Sequence, residues 1–240
     1  MRGLGAPLRM MGFYSGRKNI QYIDYDGGDP NSSDYKQAWF RIKPAMATKN
    51  PMLNLPHVHS GNTCIVQTNA CMYHLGRKFK LDGDTNSVKD RIDQVVAHAM
   101  DLRNSSISSF YGRKTVEENQ TYIREGLTTA YQKLNSFMNH NGTTYTADNQ
   151  ITLSDFHIWE MLDQHENWFS FLGVPSILPK FDALKKMYEL MKNEPRLALY
   201  FQSTYYKDYA MNNPHATFLH YFPPPTFYFL HITTYPPSLS

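Results

Sequence analysis

The sequence predicts a small α/β unit followed by an all-helical one, and three observations carry that prediction. Up to about residue 83, short β-like runs alternate with helical ones, as strands interleaved with helices do in α/β folds. After residue 85 the apolar residues recur only at spacings of three and four, the signature of amphipathic helices. Between the two regimes, Lys80–Asn86 (K-L-D-G-D-T-N) is polar and breaks both patterns. The expected organisation is therefore a first domain over 1–79, a linker over 80–86, a helical domain over 87–208 and an atypical tail over 209–240.

In the first region Ile20–Tyr25 alternates around aromatic and β-branched residues and reads as a strand. His57–His59 and Cys64–Val66 flank Ser60-Gly61-Asn62 and read as a hairpin. Gln67–Lys78 reads as the helix that follows. In the second region three apolar stripes are expected: Val88, Ile92, Val95, Ala99, Leu102 and Phe110; then Val116, Ile123, Leu127, Ala130, Leu134 and Phe137; then Phe181, Leu184, Tyr188 and Met191. The start of a further helix is marked by I-T-L-S-D-F. Thr152 and Asp155 form a capping box, and Ile151 and Phe156 hold the positions of a hydrophobic staple.

The last stretch has a different character. Tyr209–Ser240 holds no Asp, Glu, Lys or Arg, and it carries six prolines among many aromatics. It is too apolar for an ordinary disordered tail and too rich in proline for a helix, so no ordinary element is expected there. Either a lid over an apolar pocket or sequence outside the natural coding frame would explain it, and the second is the expectation.

Bulk properties exclude several classes. With 41% hydrophobic and 19% charged residues the chain is globular in composition. A net charge of +3, with basic residues scattered no more densely than Arg77-Lys78 or Lys185-Lys186, argues against nucleic acid as a partner. No run of about 18 apolar residues exists, so no membrane helix is expected. Cys64 and Cys71, one in a strand and one in a helix, are expected as buried free thiols, and a soluble cytoplasmic protein is the expectation.

The stretch Asn54–Ala70 (N-L-P-H-V-H-S-G-N-T-C-I-V-Q-T-N-A) points to chemistry. A proline directly ahead of a strand, with Leu55–Pro56 placed for a cis bond, presents the Leu55 N–H and C=O outward, and a peptide-like ligand can bind there by strand addition. After the hairpin, Gln67-Thr68 opens a helix whose free amides and positive dipole end favour a carboxylate. Together these features describe a site for a small peptide with a free carboxylate. A metal site is not expected, because His57 and His59 at i, i+2 lack a third ligand at a recognisable spacing.

N-L-P at Asn54–Pro56, Q-T-N-A at Gln67–Ala70 and T-L-S-D at Thr152–Asp155 resemble a cytosolic glutathione transferase, most similar to the Mu class with Sigma next. R-G-L at Arg2–Leu4, Arg9, the loop around Trp39 and Met100-Asp101 fall in the same register across residues 2–210. The resemblance implies a thioredoxin-like first domain, an all-α bundle as the second and a homodimer, with glutathione as co-substrate and no metal. It implies that Trp39, Lys43 and Asn54 hold the glycine end of glutathione. The Leu55 backbone, ahead of cis Pro56, would pair with the cysteinyl unit. Gln67 and Thr68 would take the γ-glutamyl carboxylate, and Asp101 of the partner subunit its ammonium. Tyr111 would hydrogen-bond the electrophile, in a pocket with Leu4 and Asn104.

The chemistry also needs a thiolate, and a free thiol near pKa ~8.5 supplies little of it at neutral pH. The family's activating tyrosine ends a strand that, by the match of R-G-L, precedes Arg2. The chain as written is thus expected to lack that strand and that tyrosine, which would leave rows of backbone groups unpaired in the sheet. Two departures stand out: Met52 replaces the aromatic key of the Mu dimer, and Asn104 replaces an apolar pocket residue. The leading function is conjugation of the glutathione thiolate to apolar electrophiles. The alternatives are a non-catalytic binder of glutathione or apolar ligands and a Sigma-like isomerase.

Overall fold

A computed structural model describes residues 1–112, 114–218 and 228–234. The described residues fall into two compact units. The first holds Met1–Phe79, Arg196–His215 and 228–234; the second holds Lys80–Pro195 and 216–218.

The first unit opens with a 3-10 turn, Gly3–Gly5, and α1 (Ala6–Tyr14). Proline in the first turn of α1 suits a position whose N–H has no intrahelical acceptor. Then come β1 (Ile20–Asp26), two short helices α2 (Gln37–Phe40) and α3 (Lys43–Ala47), the hairpin β2 (His57–Ser60) and β3 (Thr63–Val66), and α4 (Thr68–Phe79). The hairpin turns through Gly61-Asn62, with Gly61 in the left-handed region at φ +60 as a two-residue turn demands. Each strand and helix expected in this stretch is present within a residue or two of its predicted ends.

The sheet has four strands in the order β1-β4-β2-β3, where β4 is Tyr228–Thr234. That strand corrects two expectations. The uncharged C-terminal stretch forms an ordinary element at 228–234, while 219–227 and 235–240 lie outside the described residues. The inner rows of β1 and β2 are also paired: β4 runs antiparallel to β1 (Ile20↔Thr234 to Asp26↔Tyr228) and parallel to β2 (His57↔His231 to Ser60↔Thr234). A strand joined to β1 through α1 would run parallel to β1, so β4 holds the slot in the opposite sense.

Residues 196–215 contain α10 (Ala198–Gln202) and α11 (Thr204–Lys207), and they join the first unit through its buried arginine. Arg9 is 0% exposed and donates to Asp24 at 3.0 Å, while Tyr209 donates to the other Asp24 oxygen at 3.1 Å. The Arg9 guanidinium also stacks over Tyr205 and Tyr209, 5.1 and 5.2 Å from their ring centres. A buried charge is tolerated only when so paired.

The second unit is helical: α5 (Asn86–Tyr111), α6 (Val116–Tyr122), α7 (Thr128–Asn141), α8 (Leu153–Leu172) and α9 (Asp182–Lys192). Thr85 caps α5 by accepting from the Val88 amide. The linker does not hang free, because Leu81 is buried and its carbonyl accepts from the Leu153 amide at 2.8 Å. The first and third expected stripes are buried throughout. The second is broken: Val116 is 55% exposed, and a π-helical turn, Ile123–Leu127, separates α6 from α7. Val116 is the first residue of α6, ahead of the turn; beyond it the extra residue shifts the phase of the stripe, so Tyr131 and Met138 are buried while Ala130 and Phe137 are only half-buried. Helix α8 is buried on every side from Leu153 to His165 and forms the axis of this unit. Its start is the expected capping box, with Asp155 accepting from the Thr152 amide at 2.7 Å.

Candidate functional site

The hairpin register brings the two halves of the expected peptide site together. His57 stands opposite Val66, so Leu55–Pro56 and Gln67-Thr68 leave the hairpin at the same end. The Leu55–Pro56 bond is cis. Asn54 is exposed, Leu55 half-buried and Pro56 buried.

Gln67 links β3 to α4 with φ +70, a left-handed conformation that a non-glycine residue adopts at a cost of about 1–3 kcal/mol. The strain allows an extended strand to turn directly into a helix whose first residue is Thr68. The Gln67 carbonyl accepts from Cys71 at 2.9 Å, so Gln67 already acts as the cap of α4 with its side chain exposed. Thr68 is 5% exposed. The amides of that first turn have no acceptor within the helix and form an anion-binding end.

Trp39 and Lys43 come from α2 and α3. The Trp39 ring is 4% exposed and packs in a cluster with Leu53, Cys64 and Val66, against which the half-buried Leu55 also packs. It therefore acts first as core, supporting both Leu55 and Lys43, whose ammonium lies 6.0 Å from the ring centre. Lys43 itself is half-buried. Leu4 lies half-buried in the 3-10 turn of the first unit.

Asp101, Asn104 and Tyr111 lie on α5 in the second unit, at spacings of three and seven, which places them along one helical face. Asp101 and Asn104 are exposed and Tyr111 is half-buried. Behind that face runs a polar chain that sequence reasoning did not find. Ser105 and Ser106 meet the Tyr122 hydroxyl at 2.8 and 3.0 Å, Ser106 meets His165 Nε2 at 2.9 Å, and His165 Nδ1 meets the Tyr131 hydroxyl at 3.0 Å. These residues come from four helices, so no local motif announces them. Burial lowers His165 to about 3, which keeps the ring neutral and able to serve one hydroxyl as donor and another as acceptor.

The remaining reactive groups are quiet. Both cysteines are free and buried; burial raises the Cys64 thiol, and burial together with Cys64 raises Cys71 to about 12. His57 and His59 lie with ring centres 5.2 Å apart, and burial followed by the neighbouring His59 lowers His57 to about 4. Among the described residues no group of three or more His, Cys, Asp or Glu is placed to hold a metal, and no helix is long and apolar enough to cross a membrane.

Comparison with known proteins gives a consistent picture. A family model described as "Glutathione S-transferase, C-terminal domain" matches residues 100–204. Glutathione S-transferase Mu 2 of Rattus norvegicus is 30% identical over 200 residues, covering 80% of this chain and 88% of the rat protein. A glutathione S-transferase of Tyrophagus putrescentiae is 27% identical over 207 residues, with 85% and 87% covered. The fold resembles the crystal structure of the glutathione S-transferase Blo t 8 with a TM-score of 0.72 at 22% identity, covering 91% of this chain and 96% of that one. It also resembles a Pi-class glutathione S-transferase of Onchocerca volvulus, with a TM-score of 0.69 at 24% identity and coverage of 90% and 96%.

Proposed function

Because this chain belongs to the glutathione S-transferase family and is Mu-like, a transferase that uses glutathione, we propose that it joins the glutathione thiolate to apolar electrophiles, and that the hairpin end of the first unit holds the tripeptide. The observation that carries this reading is the convergence of Leu55–Pro56 and Gln67-Thr68 at one end of β2 and β3.

Each residue has a task that follows from its chemistry. The amides of the first turn of α4, with the Gln67 and Thr68 side chains, take the γ-glutamyl carboxylate as charge-assisted acceptor. The Leu55 N–H and C=O pair with the cysteinyl unit as an added strand would. Lys43, steadied by the Trp39 ring, and Asn54 hold the glycine carboxylate. Binding at three points orients the sulfur and converts attack into an effectively unimolecular step. Tyr111 donates its hydroxyl hydrogen bond to the electrophile, where negative charge develops, with Asn104 on the same helix.

We further propose a cytoplasmic homodimer in which Asp101 of each subunit meets the ammonium of the glutathione bound by its partner. Met52, 64% exposed in the first unit, would supply the intersubunit contact. The test is calorimetric titration of the full chain with glutathione, alongside conjugation to an aryl chloride. Binding that falls in the Gln67→Ala and Lys43→Ala variants supports the assignment. Binding unchanged in both would remove it.

A further inference from the structure

Helix α5 ends at Tyr111, and its last carbonyls would by default face water or need a cap. They find one 107 residues downstream. The Phe110 carbonyl accepts from the Thr217 amide at 2.9 Å, from the Thr217 hydroxyl at 2.9 Å and from the Phe218 amide at 3.2 Å. The same hydroxyl also lies 3.2 Å from the Gly112 carbonyl.

The cap is wedged in place by an aromatic side chain. Phe218 is 1% exposed, with ring centres of Phe110 at 5.4 Å and Phe171 at 5.5 Å. Phe110 in turn meets Trp168 edge-on at 5.5 Å, so the wedge ties the end of α5 to α8. On the other side Gly112 leaves the helix in an extended conformation, its amide on the Ser108 carbonyl at 3.0 Å. A side chain at Gly112 would collide with that carbonyl, so the exit path is fixed as well. Tyr111 sits between these two constraints.

We propose that Thr217 and Phe218 are positioning residues for Tyr111: by closing the last turn of α5 they hold the tyrosine hydroxyl where it meets the electrophile. Helix ends fray when their carbonyls lose partners, and a frayed last turn would carry Tyr111 with it. The inference rests on the reading of Tyr111 as hydrogen-bond donor to the electrophile.

The experiment uses the full chain and two glutathione thioethers, one carrying a ketone on its S-substituent and the other a methylene in its place. Binding of each is measured by calorimetry, together with that of glutathione. One hydrogen bond from Tyr111 predicts a preference for the ketone of about three- to tenfold. Tyr111→Phe abolishes the preference. Phe218→Ala and Thr217→Ala reduce it to less than about half of the wild-type ratio, with glutathione affinity unchanged, and neither changes the ratio further in the Tyr111→Phe background. A preference kept intact in Phe218→Ala and Thr217→Ala, but lost in Tyr111→Phe, overturns the positioning role alone. A preference that survives Tyr111→Phe, or is absent from the wild type, overturns the Tyr111 reading and the positioning role with it. If Phe218→Ala loses glutathione binding it has lost its fold, and Thr217→Ala, which removes one exposed hydroxyl, then decides the question.

Discussion

Asp155 closes the start of the central helix α8, and the cost of removing it can be worked from its neighbours. One carboxylate oxygen accepts from the Thr146 amide and hydroxyl, both at 2.7 Å; the other accepts from the Thr152 amide at 2.7 Å and hydroxyl at 3.0 Å. Burial raises the carboxyl above its ordinary range while these four bonds pull the other way. In Asp155→Ala the two hydroxyls can turn to Ser154 Oγ, which lies 2.9 Å from each, but the two buried amides cannot. An orphaned buried amide costs about 1–3 kcal/mol, so the alanine variant should lose about 4 kcal/mol. Asp155→Asn keeps one acceptor oxygen and orphans one amide, so it should lose about 2 kcal/mol. Urea unfolding followed by tryptophan fluorescence reads this directly, because Trp159 and Trp168 both lie buried on α8. With a denaturant slope of about 2 kcal/mol per molar, the midpoints fall by about 2 M for alanine and about 1 M for asparagine. An alanine variant within about 0.5 M of wild type, or an asparagine variant as damaged as alanine, would refute the orphaned-amide reasoning.

Other perturbations test other parts of the molecule. Burial holds His165 at about 3 and, with Arg103 adding to it, His157 at about 4, whereas both titrate near 6.5 when unfolded. The unfolded chain therefore binds more protons below about pH 6.5, and stability present above that pH is lost on acidification. Each histidine should contribute a loss of about 2 kcal/mol between pH 7 and 5, and His165→Gln should shrink the loss by that amount in urea melts at the two pH values. Gln67→Ala should weaken glutathione binding about 10- to 100-fold by calorimetry while leaving the thermal midpoint within a few degrees, since the side chain is exposed. Met52→Glu should shift the protein to monomer in sedimentation equilibrium; an unchanged dimer would place the contact elsewhere. Gly12→Ala should destabilise the first unit by about 1–3 kcal/mol, because the added methyl meets the Tyr22 hydroxyl.

Much of the fold was legible because the deciding forces act locally. Alternation in Ile20–Tyr25, the Gly61-Asn62 turn, the Thr152–Asp155 box and the stripes of α5 and α9 are short-range signals, and each found its element. Leu55–Pro56 and Gln67-Thr68 were legible for the same reason: a turn, a strand pair and a helix start lie within seventeen residues. The break between α6 and α7 was not, since a π-helical turn conserves composition and changes only phase.

What the sequence determined by itself was the inventory: an α/β unit, a helical unit, the capping devices and the residue types suited to a peptide carboxylate. Only the tertiary structure decided where the C-terminal stretch goes. Its composition argued against any element, yet 228–234 occupies the slot between β1 and β2, and Thr217 and Phe218 close the end of α5. Only the tertiary structure, likewise, assembled Ser106, Tyr122, Tyr131 and His165 from four helices into one hydrogen-bonded chain. The physical reason is common to all three. Backbone groups and buried hydroxyls must find partners wherever the fold leaves them, and a partner on another element, 16 residues away for Ser106 and Tyr122 and 107 for Phe110 and Thr217, leaves no mark in local pattern.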